Sequence, residues 1–270
     1  MPELPEVETT RLGLAPHLEG RRITAVTLRR ADLRWPIPEE IQLFLPGQAI
    51  LGLRRRAKYL LLDLAPGSAL LHLGMTGSLR ILPGDTTVGT HDHVDFLLDS
   101  GLVLRFRDPR RFGCLLWQPQ GETHPLLTEL GPEPLSPAFT GDHLWRRSRK
   151  RQASVKTFLM DQSTVVGVGN IYAAESLFRA GIAPEREAGA VSRERYGRLA
   201  RAVKEILAQA ITAGGTTLRD FIHPDGLPGY FKQELFVYGR EGGLCLVCGG
   251  MLSGTRLGNR ATVWCGTCQK

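Results

Sequence analysis

Two Cys-x-x-Cys pairs near the end of the chain restrict its fold more than any other feature. Cys245 and Cys248 form one pair, Cys265 and Cys268 form the other, and sixteen residues separate the pairs. This spacing is typical of a zinc ribbon, in which each pair occupies a tight turn and one hairpin spans the gap. Four thiolates complete a closed tetrahedral site, so the sequence predicts one structural Zn²⁺ ion. A redox pair is the competing interpretation, and the presence of two such pairs disfavours it.

The rest of the chain divides into a strand-rich first half and a helical second half. After a helix predicted over residues 6–19, short runs with β character occur at 22–29, 49–56, 58–64, 69–73, 78–82, 93–98, 102–107 and 113–118. Many short strands at regular spacing indicate a β-sandwich. Beyond a cluster of prolines, helical patterns span 140–149, 153–161, 170–180 and 192–213.

These patterns predict a multidomain α+β fold for a chain of 270 residues, which is long enough for two domains and a small module. We expect an N-terminal β-sandwich with a flanking helix at residues 1–131. A helical domain should follow at 132–234, and a zinc ribbon at 235–270.

The charge of the chain indicates what it binds. The formal net charge is +7 and the isoelectric point is near 9.4. An excess of positive charge favours an anionic partner, with nucleic acid ahead of a membrane surface. The sequence shows neither a basic-then-apolar leader nor a long uncharged apolar run. We therefore expect a cytoplasmic, nucleoid-associated protein without a membrane partner.

The first residues offer a nucleophile. Removal of Met1 would leave Pro2 with a free secondary amine, and α-amino groups titrate at about pH 8, below lysine side chains. A secondary amine that attacks a sugar carbon gives an iminium, which draws electrons from neighbouring carbons. Glu3 is close enough to act as general acid or base, and Glu6 suits the positive end of a helix. From these residues alone, a stiff tail before a capped helix is the simpler interpretation.

A segment of the helical half is typical of a helix–turn–helix hairpin. It runs over residues 160–172 and contains Gly167 and Gly169, which allow another backbone to approach closely. Asn170 is expected to cap the following helix, whose exposed amides would bind phosphate. A plain helical hairpin would need the glycines only for its turn.

Two basic runs have an ordinary structural alternative. Lys58 follows three arginines at 54–56, and Arg151 ends a basic run that begins at Arg146. Such runs are usually solvated faces, although basic residues beside a nucleic acid backbone also raise affinity without reading sequence.

Two turn-rich loops each carry a large apolar residue that could lie in the core or contact a ligand. Met75 lies in the loop 72–77 and Phe112 in the loop 108–113. Either residue would suit the core, or a wedge that fills a base stack when one nucleotide is extruded. The nearby segment His91-Asp92-His93 could pass for a metal-binding pair.

A series of motifs, in order along nearly the whole chain, resembles the formamidopyrimidine-DNA glycosylase family. They are PELPEVET at the N terminus, RRAKYLLL around Lys58, the loops HLGMTG and DPRRFG, VGVGNIYAAE at the hairpin, and NRAT between the cysteine pairs. The resemblance implies a bifunctional enzyme that excises oxidised purines, such as 8-oxoguanine and formamidopyrimidines, from double-stranded DNA. The same enzyme would then cleave the abasic site as a lyase.

The resemblance also implies roles for the catalytic residues. Pro2 would attack C1′ of the lesion sugar, Glu3 would move the proton that opens the sugar, and Glu6 would support the amine electrostatically. Lys58 would bind phosphate near the lesion and take part in β-elimination. Arg260 would reach a phosphate beside the lesion and assist δ-elimination.

Further contacts with DNA follow from the same resemblance. Met75, Arg110 and Phe112 would fill the space left by the flipped nucleotide, and Arg110 would pair with the orphaned cytosine. A loop at 216–221 would cover the everted base, and the family suggests a monomer. Other DNA contacts are implied at His72, His91, Arg151 and Asn170.

Three other functions stay open from the sequence. An endonuclease VIII-like glycosylase for oxidised pyrimidines would differ in its N terminus and wedge residues. A non-catalytic zinc-ribbon DNA-binding protein would use the hairpin and finger and need nothing special of Pro2. A zinc-dependent hydrolase would need an open coordination position, which four cysteine ligands do not leave.

Overall fold

The computed structural model describes residues 2–214 and 235–270. The described chain divides into two units. One spans residues 2–128 together with 213–214, and the other combines Glu129–Thr212 with the residues from 235 onward. The loop expected to cover an everted base, at 216–221, lies outside the described residues. None of the described helices combines the length and apolarity that a membrane crossing requires.

The first unit begins with helix α1 (Leu4–Leu18), followed by the strands of the predicted sandwich. Two short helices, α2 (Glu40–Phe44) and α3 (Pro125–Thr128), were not predicted, because so few residues show no helical periodicity. All eight runs predicted as strands are confirmed: β1 (Ile23–Leu28), β2 (Gly52–Arg56), β3 (Tyr59–Leu64), β4 (Gly67–His72), β5 (Ser78–Pro83), β6 (Asp92–Leu98), β7 (Leu102–Arg107) and β8 (Cys114–Pro119).

These strands form two antiparallel sheets with the orders β1-β6-β7-β5 and β2-β3-β4-β8. Side chains from both sheets and from α1 share one hydrophobic core, which includes Leu14, Phe96 and Leu115. Leu60 and Leu62 of β3 both enter it, as the two-residue period of a strand requires. The β-sandwich with a flanking helix is therefore confirmed.

The second unit begins with four helices close to the predicted ranges. They are α4 (Gly141–Ser148), α5 (Val155–Met160), α6 (Asn170–Ala180) and α7 (Arg193–Thr212), with a 3₁₀ turn at Ala188–Ala190. Thr140 caps α4 and Ser154 caps α5, each by accepting a hydrogen bond from a backbone amide of the first turn. Gly181 ends α6 in the left-handed conformation.

The cysteine-rich end of the chain forms a hairpin of β9 (Ser253–Leu257) and β10 (Arg260–Trp264). Gly258 and Asn259 join the strands with φ values of 54° and 60°, as a two-residue hairpin turn of type I′ requires. Leu252 and Val263 share a small hydrophobic core with residues of α6, so the finger packs on that helix.

Candidate functional site

Pro2, Glu3 and Glu6 are all buried at the N-terminal end of α1. The Glu6 carboxylate accepts a hydrogen bond from the Glu3 backbone nitrogen at 2.8 Å. This contact caps the start of the helix. The first backbone N–H groups of a helix have no carbonyl acceptor within the helix, so a side chain must accept from them. Glu6 therefore fixes the backbone of Glu3 next to Pro2. This positioning role adds to the electrostatic role expected of Glu6 from the sequence.

Lys58 lies at the tight turn between β2 and β3 and is 8% exposed. The preceding residue, Ala57, has a φ of 56°, an uncommon conformation for a residue with a side chain. Arg55 supports this turn, since its Nη1 donates to the Ala57 carbonyl oxygen at 2.9 Å. The Nε of Arg55 donates to Glu8 of α1 at 2.8 Å. One polar chain therefore joins helix α1 to the turn that carries Lys58.

The arginines before Lys58 are engaged within the protein. Arg54 donates to Asp63 at 2.8 Å, and Glu8 accepts from Arg11 at 2.9 and 2.7 Å as well as from Arg55. Burial acts to raise the pKa of Glu8, but the hydrogen bonds from Arg11 and Arg55 outweigh it and hold the pKa below its usual 4.5. Glu8 was not among the residues selected from the sequence, and its partner Arg55 is far away along the chain.

His72 is half-buried, and its Nδ1 accepts a hydrogen bond from the Gly74 amide at 2.9 Å. Burial, together with the positive charges of Lys58 and Arg34, lowers the pKa of His72 to about 4. The ring is therefore neutral at physiological pH, with its proton on Nε2 because Nδ1 acts as the acceptor. In contact with DNA it would act as a hydrogen-bond donor and not as a cation.

Met75 and Phe112 border the same cavity of about 420 Å³, together with Arg34, His72 and Gly74. Phe112 is 43% exposed, so it does not belong to the core. Met75 is half-buried at the cavity wall. Arg34 was missed by the sequence analysis, since nothing around it marks it as different from other surface arginines.

Arg110 is exposed beside Phe112, and its guanidinium carbon lies 4.7 Å from the centroid of that ring. His91 is half-buried, and its carbonyl oxygen accepts from the Asp108 amide at 3.0 Å. His93 is buried, with its Nε2 at 2.9 Å from the Asp108 carbonyl oxygen. The His91 carbonyl oxygen and the His93 ring thus both hold the backbone of Asp108.

In the second unit Asn170 has a role that differs from the one expected. The prediction that Asn170 caps α6 is wrong, because Gly169 occupies the cap position and Asn170 is the first helical residue. The Asn170 side chain instead donates through Nδ2 to the Ala261 carbonyl oxygen at 3.2 Å. Gly167 adopts a φ of 78°, which glycine reaches without strain.

Lys156 of α5 reaches the same strand. Its Nζ donates to the Ala261 carbonyl oxygen at 3.1 Å and to the Thr262 hydroxyl at 2.7 Å. Together with Asn170, Lys156 holds the start of β10, where Arg260 is exposed. Nothing in the sequence marked Lys156, because a single lysine in a helix is ordinary. Arg151 is exposed in the segment between α4 and α5.

The four cysteines fit a zinc ion. Their Sγ atoms all lie within 4.8 Å of one another. In the described part of the chain, these four residues are the one group of three or more potential ligands close enough to bind a single metal ion. Two of the Sγ–Sγ distances are 3.9 and 3.5 Å. A tetrahedron with Zn–S bonds of about 2.3 Å has edges of about 3.8 Å, so the donor set matches this ion.

Glu175 anchors the segment that leads into the finger. Its carboxylate accepts from the backbone nitrogens of Phe236, Val237 and Tyr238 at 2.9, 3.0 and 2.8 Å. The sequence offered one signal for it, since Glu175 lies among apolar residues of α6 that are otherwise buried. A buried carboxylate on such a face needs hydrogen-bond donors.

Comparison with known proteins identifies the class of protein. Residues 1–115 match the formamidopyrimidine-DNA glycosylase N-terminal domain, residues 130–222 match the H2TH domain of the same enzyme, and residues 242–270 match a zinc finger found in FPG and IleRS. This combination of a sandwich, a helix–two-turn–helix unit and a four-cysteine finger defines a class of DNA glycosylases. The chain belongs to the formamidopyrimidine-DNA glycosylase family.

Individual relatives are similar over their whole length. The formamidopyrimidine-DNA glycosylase of Stenotrophomonas maltophilia K279a is 72% identical over 270 residues, covering 100% of both chains. The enzyme of Xanthomonas campestris pv. campestris B100 is 71% identical, again over 100% of both. The crystal structure of MutM (FPG) from Thermus thermophilus has a TM-score of 0.89 at 41% identity, covering 99% of this chain and 98% of that one. A Lactococcus lactis FPG mutant bound to Fapy-dG-containing DNA has a TM-score of 0.92 at 32% identity, covering 100% of both.

Proposed function

We propose that this protein is a base-excision repair enzyme that removes oxidised purines from double-stranded DNA and cleaves the resulting abasic site. The substrate class follows from relatives, whose structures hold DNA containing Fapy-dG or carbocyclic 8-oxo-G. The net charge of +7 suits a polyanionic substrate. The observation that carries the proposal is the polar chain through Glu8 and Arg55, which links the helix behind Pro2 to the turn that carries Lys58.

The first chemical steps would use the N-terminal residues. After Met1 is removed, the lone pair of the Pro2 nitrogen attacks C1′ of the lesion nucleotide, and the bond from C1′ to the base breaks. The base leaves with that electron pair and takes up the proton that the Pro2 nitrogen gives up, which restores the nitrogen lone pair needed for the next step. Glu3 then donates a proton to O4′ as the C1′–O4′ bond opens, which leaves a protein-bound iminium.

Strand cleavage would follow from the iminium. Loss of a proton from C2′ breaks the bond to the 3′ oxygen, and loss of a proton from C4′ then breaks the bond to the 5′ oxygen. Two phosphate ends and a gap of one nucleoside remain. Lys58, beside His72 and Arg34, would bind phosphate near the lesion during β-elimination. Arg260, exposed at the start of β10, would assist δ-elimination.

The remaining residues would bind DNA and the metal. Met75, Arg110 and Phe112 would fill the space left by the extruded nucleotide, while His72, His91, Arg151 and Asn170 would lie along the DNA. A Zn²⁺ ion held by the four cysteines would link the two turns of the finger and take no part in the reaction. We place the enzyme in the cytoplasm with the nucleoid, acting as a monomer.

Borohydride trapping tests the proposal. The wild-type protein is incubated with a duplex containing 8-oxoguanine opposite cytosine, the iminium is reduced, and the adduct is digested and located by mass spectrometry. We expect the DNA remnant on Pro2, and a strong loss of excision in Pro2→Gly. Pro46→Gly makes the same exchange at an exposed turn and should behave as the wild type.

Three outcomes would contradict the proposal in different ways. An adduct located on another residue would exclude Pro2 as the nucleophile. Lesion DNA that is bound without any adduct or cleavage would favour a non-catalytic DNA-binding protein. Excision of oxidised pyrimidines with no excision of oxidised purines would favour an endonuclease VIII-like enzyme.

A further inference from the structure

Asp108 lies where two loops meet. The first wedge loop, residues 73–77, carries Met75, and the second wedge loop, residues 109–113, carries Arg110 and Phe112. Asp108 is 0% exposed. Its Oδ1 accepts from the Thr76 hydroxyl of the first loop at 2.9 Å, and its Oδ2 accepts from the Gly113 amide of the second loop at 2.8 Å.

The two loops also touch through their backbones. A Cβ atom added to Gly74 would lie 2.4 Å from the Gly113 nitrogen, which is closer than real Cβ contacts. The Arg110 amide lies 3.3 Å from both the Thr76 hydroxyl and Asp108 Oδ1. The hydroxyl of the first loop and the carboxyl of Asp108 therefore both contact the backbone of the residue expected to meet the orphaned base.

The backbone of Asp108 is fixed as well. Its amide donates to the His91 carbonyl oxygen at 3.0 Å, and its own carbonyl oxygen is 2.9 Å from Nε2 of the buried His93. Asp108 is thus held by β6 and the residue before it, while its carboxylate contacts both loops. An unpaired polar group buried at such a place would be costly, so the loops favour the one arrangement that satisfies this carboxyl.

We propose that Asp108 is a positioning residue that joins the two wedge loops into one rigid body, and that this connection sets the preference for cytosine over adenine opposite the lesion. The inference rests on the proposed function. Opening a base stack costs free energy, so wedge loops that shift easily should extrude the nucleotide less often. A hydrogen-bonding residue distinguishes two bases only when its backbone is held in place, because discrimination depends on donor and acceptor geometry.

Thr76→Val tests the connection, because it removes the hydroxyl and keeps the shape. Extrusion is followed by the fluorescence of 2-aminopurine placed next to 8-oxoguanine, and excision is measured in single turnovers with cytosine or adenine opposite. We expect extrusion, and the ratio of the two excision rates, to fall about fivefold to tenfold, the size expected for one lost buried hydrogen bond. Thr76→Ser returns the hydroxyl and should restore both.

Thr24→Val is the matched control, since the Thr24 hydroxyl donates to the Leu97 carbonyl oxygen at 3.2 Å on β1 and does not contact either loop. Asp108→Asn is the second variant. It places an amide NH₂ group against either the Thr76 hydroxyl or the Gly113 amide, both of which donate to Asp108, so it should lower the cytosine-to-adenine ratio further. All rates are measured well below the lowest unfolding temperature of the set, so that lost stability does not enter the comparison.

The outcomes separate this inference from the proposed function. Thr76→Val and Asp108→Asn proteins with the extrusion and the cytosine-to-adenine ratio of the wild type would overturn the role of Asp108 alone. Extrusion and a cytosine-to-adenine ratio that are lost in Thr76→Val and retained in Thr76→Ser would support it. A wild-type protein that excises no oxidised purine would overturn the proposed function itself.

Discussion

The guanidinium carbon of Arg110 lies 4.7 Å from the centroid of the Phe112 ring, with one residue between them. That residue, Arg111, adopts a left-handed φ of 55°. A cation over an aromatic face at an exposed site contributes about 0.5–1 kcal/mol. Phe112 therefore supports Arg110 in addition to offering its own apolar surface.

This relationship makes Phe112 important for base discrimination as well as for extrusion. We expect Phe112→Ala to slow excision of 8-oxoguanine and also to reduce the preference for cytosine opposite, because Arg110 loses its support. Phe112→Trp should keep both properties, since indole offers the better face. Single-turnover excision rates on the two duplexes provide the measurement.

Phe44→Ala is a suitable control for the loss of an exposed ring, because Phe44 is 42% exposed and Phe112 43%. It lies on α2 and should leave the rates unchanged. Equal preference for cytosine in Phe112→Ala and wild type would show that Arg110 does not need the ring.

The protonation of His72 provides a second prediction. With its pKa lowered to about 4 by burial and by Lys58 and Arg34, His72 should titrate far below an ordinary histidine in the DNA-free protein. Lys58→Met removes one of the two positive charges, so the pKa of His72 should rise towards its usual 6.5. Two-dimensional NMR of the imidazole across pH 3–8 measures both values. If the pKa of His72 were the same in both proteins, the charge of Lys58 would not contribute to lowering it.

Glu8 provides a third prediction, on stability and pH. Its folded pKa is depressed below 4.5, so its ion pairs stabilise the fold above that pH, and the stabilisation is lost as pH falls through the folded pKa. Glu8→Gln should lower the free energy of unfolding at pH 7 by roughly 1.5–3 kcal/mol, the range for hydrogen bonds to charged groups. The difference should shrink as the pH falls below 4.5 and through the lowered pKa of Glu8. Urea denaturation at several pH values measures it.

The control for Glu8 is Asp32→Asn, which removes exposed ion pairs with Arg30 and Arg111 in the same unit. Exposed pairs contribute little, so this change should have a small effect at any pH. If Glu8→Gln were equally mild at pH 7, the polar chain from α1 to the Lys58 turn would not stabilise the fold.

The finger provides a fourth prediction. Cys248→Ser should lose the bound zinc and, because metal binding and folding of such a site are coupled, should also lose affinity for DNA with an abasic site. Cys114→Ser, in the sandwich, should retain one zinc per chain. Metal content by atomic spectroscopy and affinity by fluorescence anisotropy are the two measurements. A Cys248→Ser protein with normal affinity for abasic-site DNA would contradict this prediction.

Much of the fold was predictable because its signals are local. The eight strand runs, the four main helices and the two cysteine pairs all follow from residue periods and spacings within short windows. The start of α1 was predicted two residues late, at residue 6, whereas the helix begins at Leu4 and holds Pro5 in its first turn. The short helices α2 and α3 were not predicted, because four or five residues are too few to show a helical period.

The site was less predictable, because its contacts join distant positions. Glu8 meets Arg55 across 47 residues, and Lys156 meets Ala261 across 105. A run of three arginines carried no indication that Arg54 and Arg55 are paired with carboxylates. Asn170 precedes an apolar helical run and so was expected to be its cap, yet the glycine before it takes that position and leaves the side chain to bind β10.

The sequence by itself determined which elements form, which thiols bind metal, and which family the motifs resemble, because each depends on residue types at fixed short spacing. Tertiary structure alone decided that His72 is neutral, that Asp108 joins two loops, and that Phe112 supports Arg110. Those properties depend on desolvation and on hydrogen-bond partners, and both are set only when separate segments pack against one another.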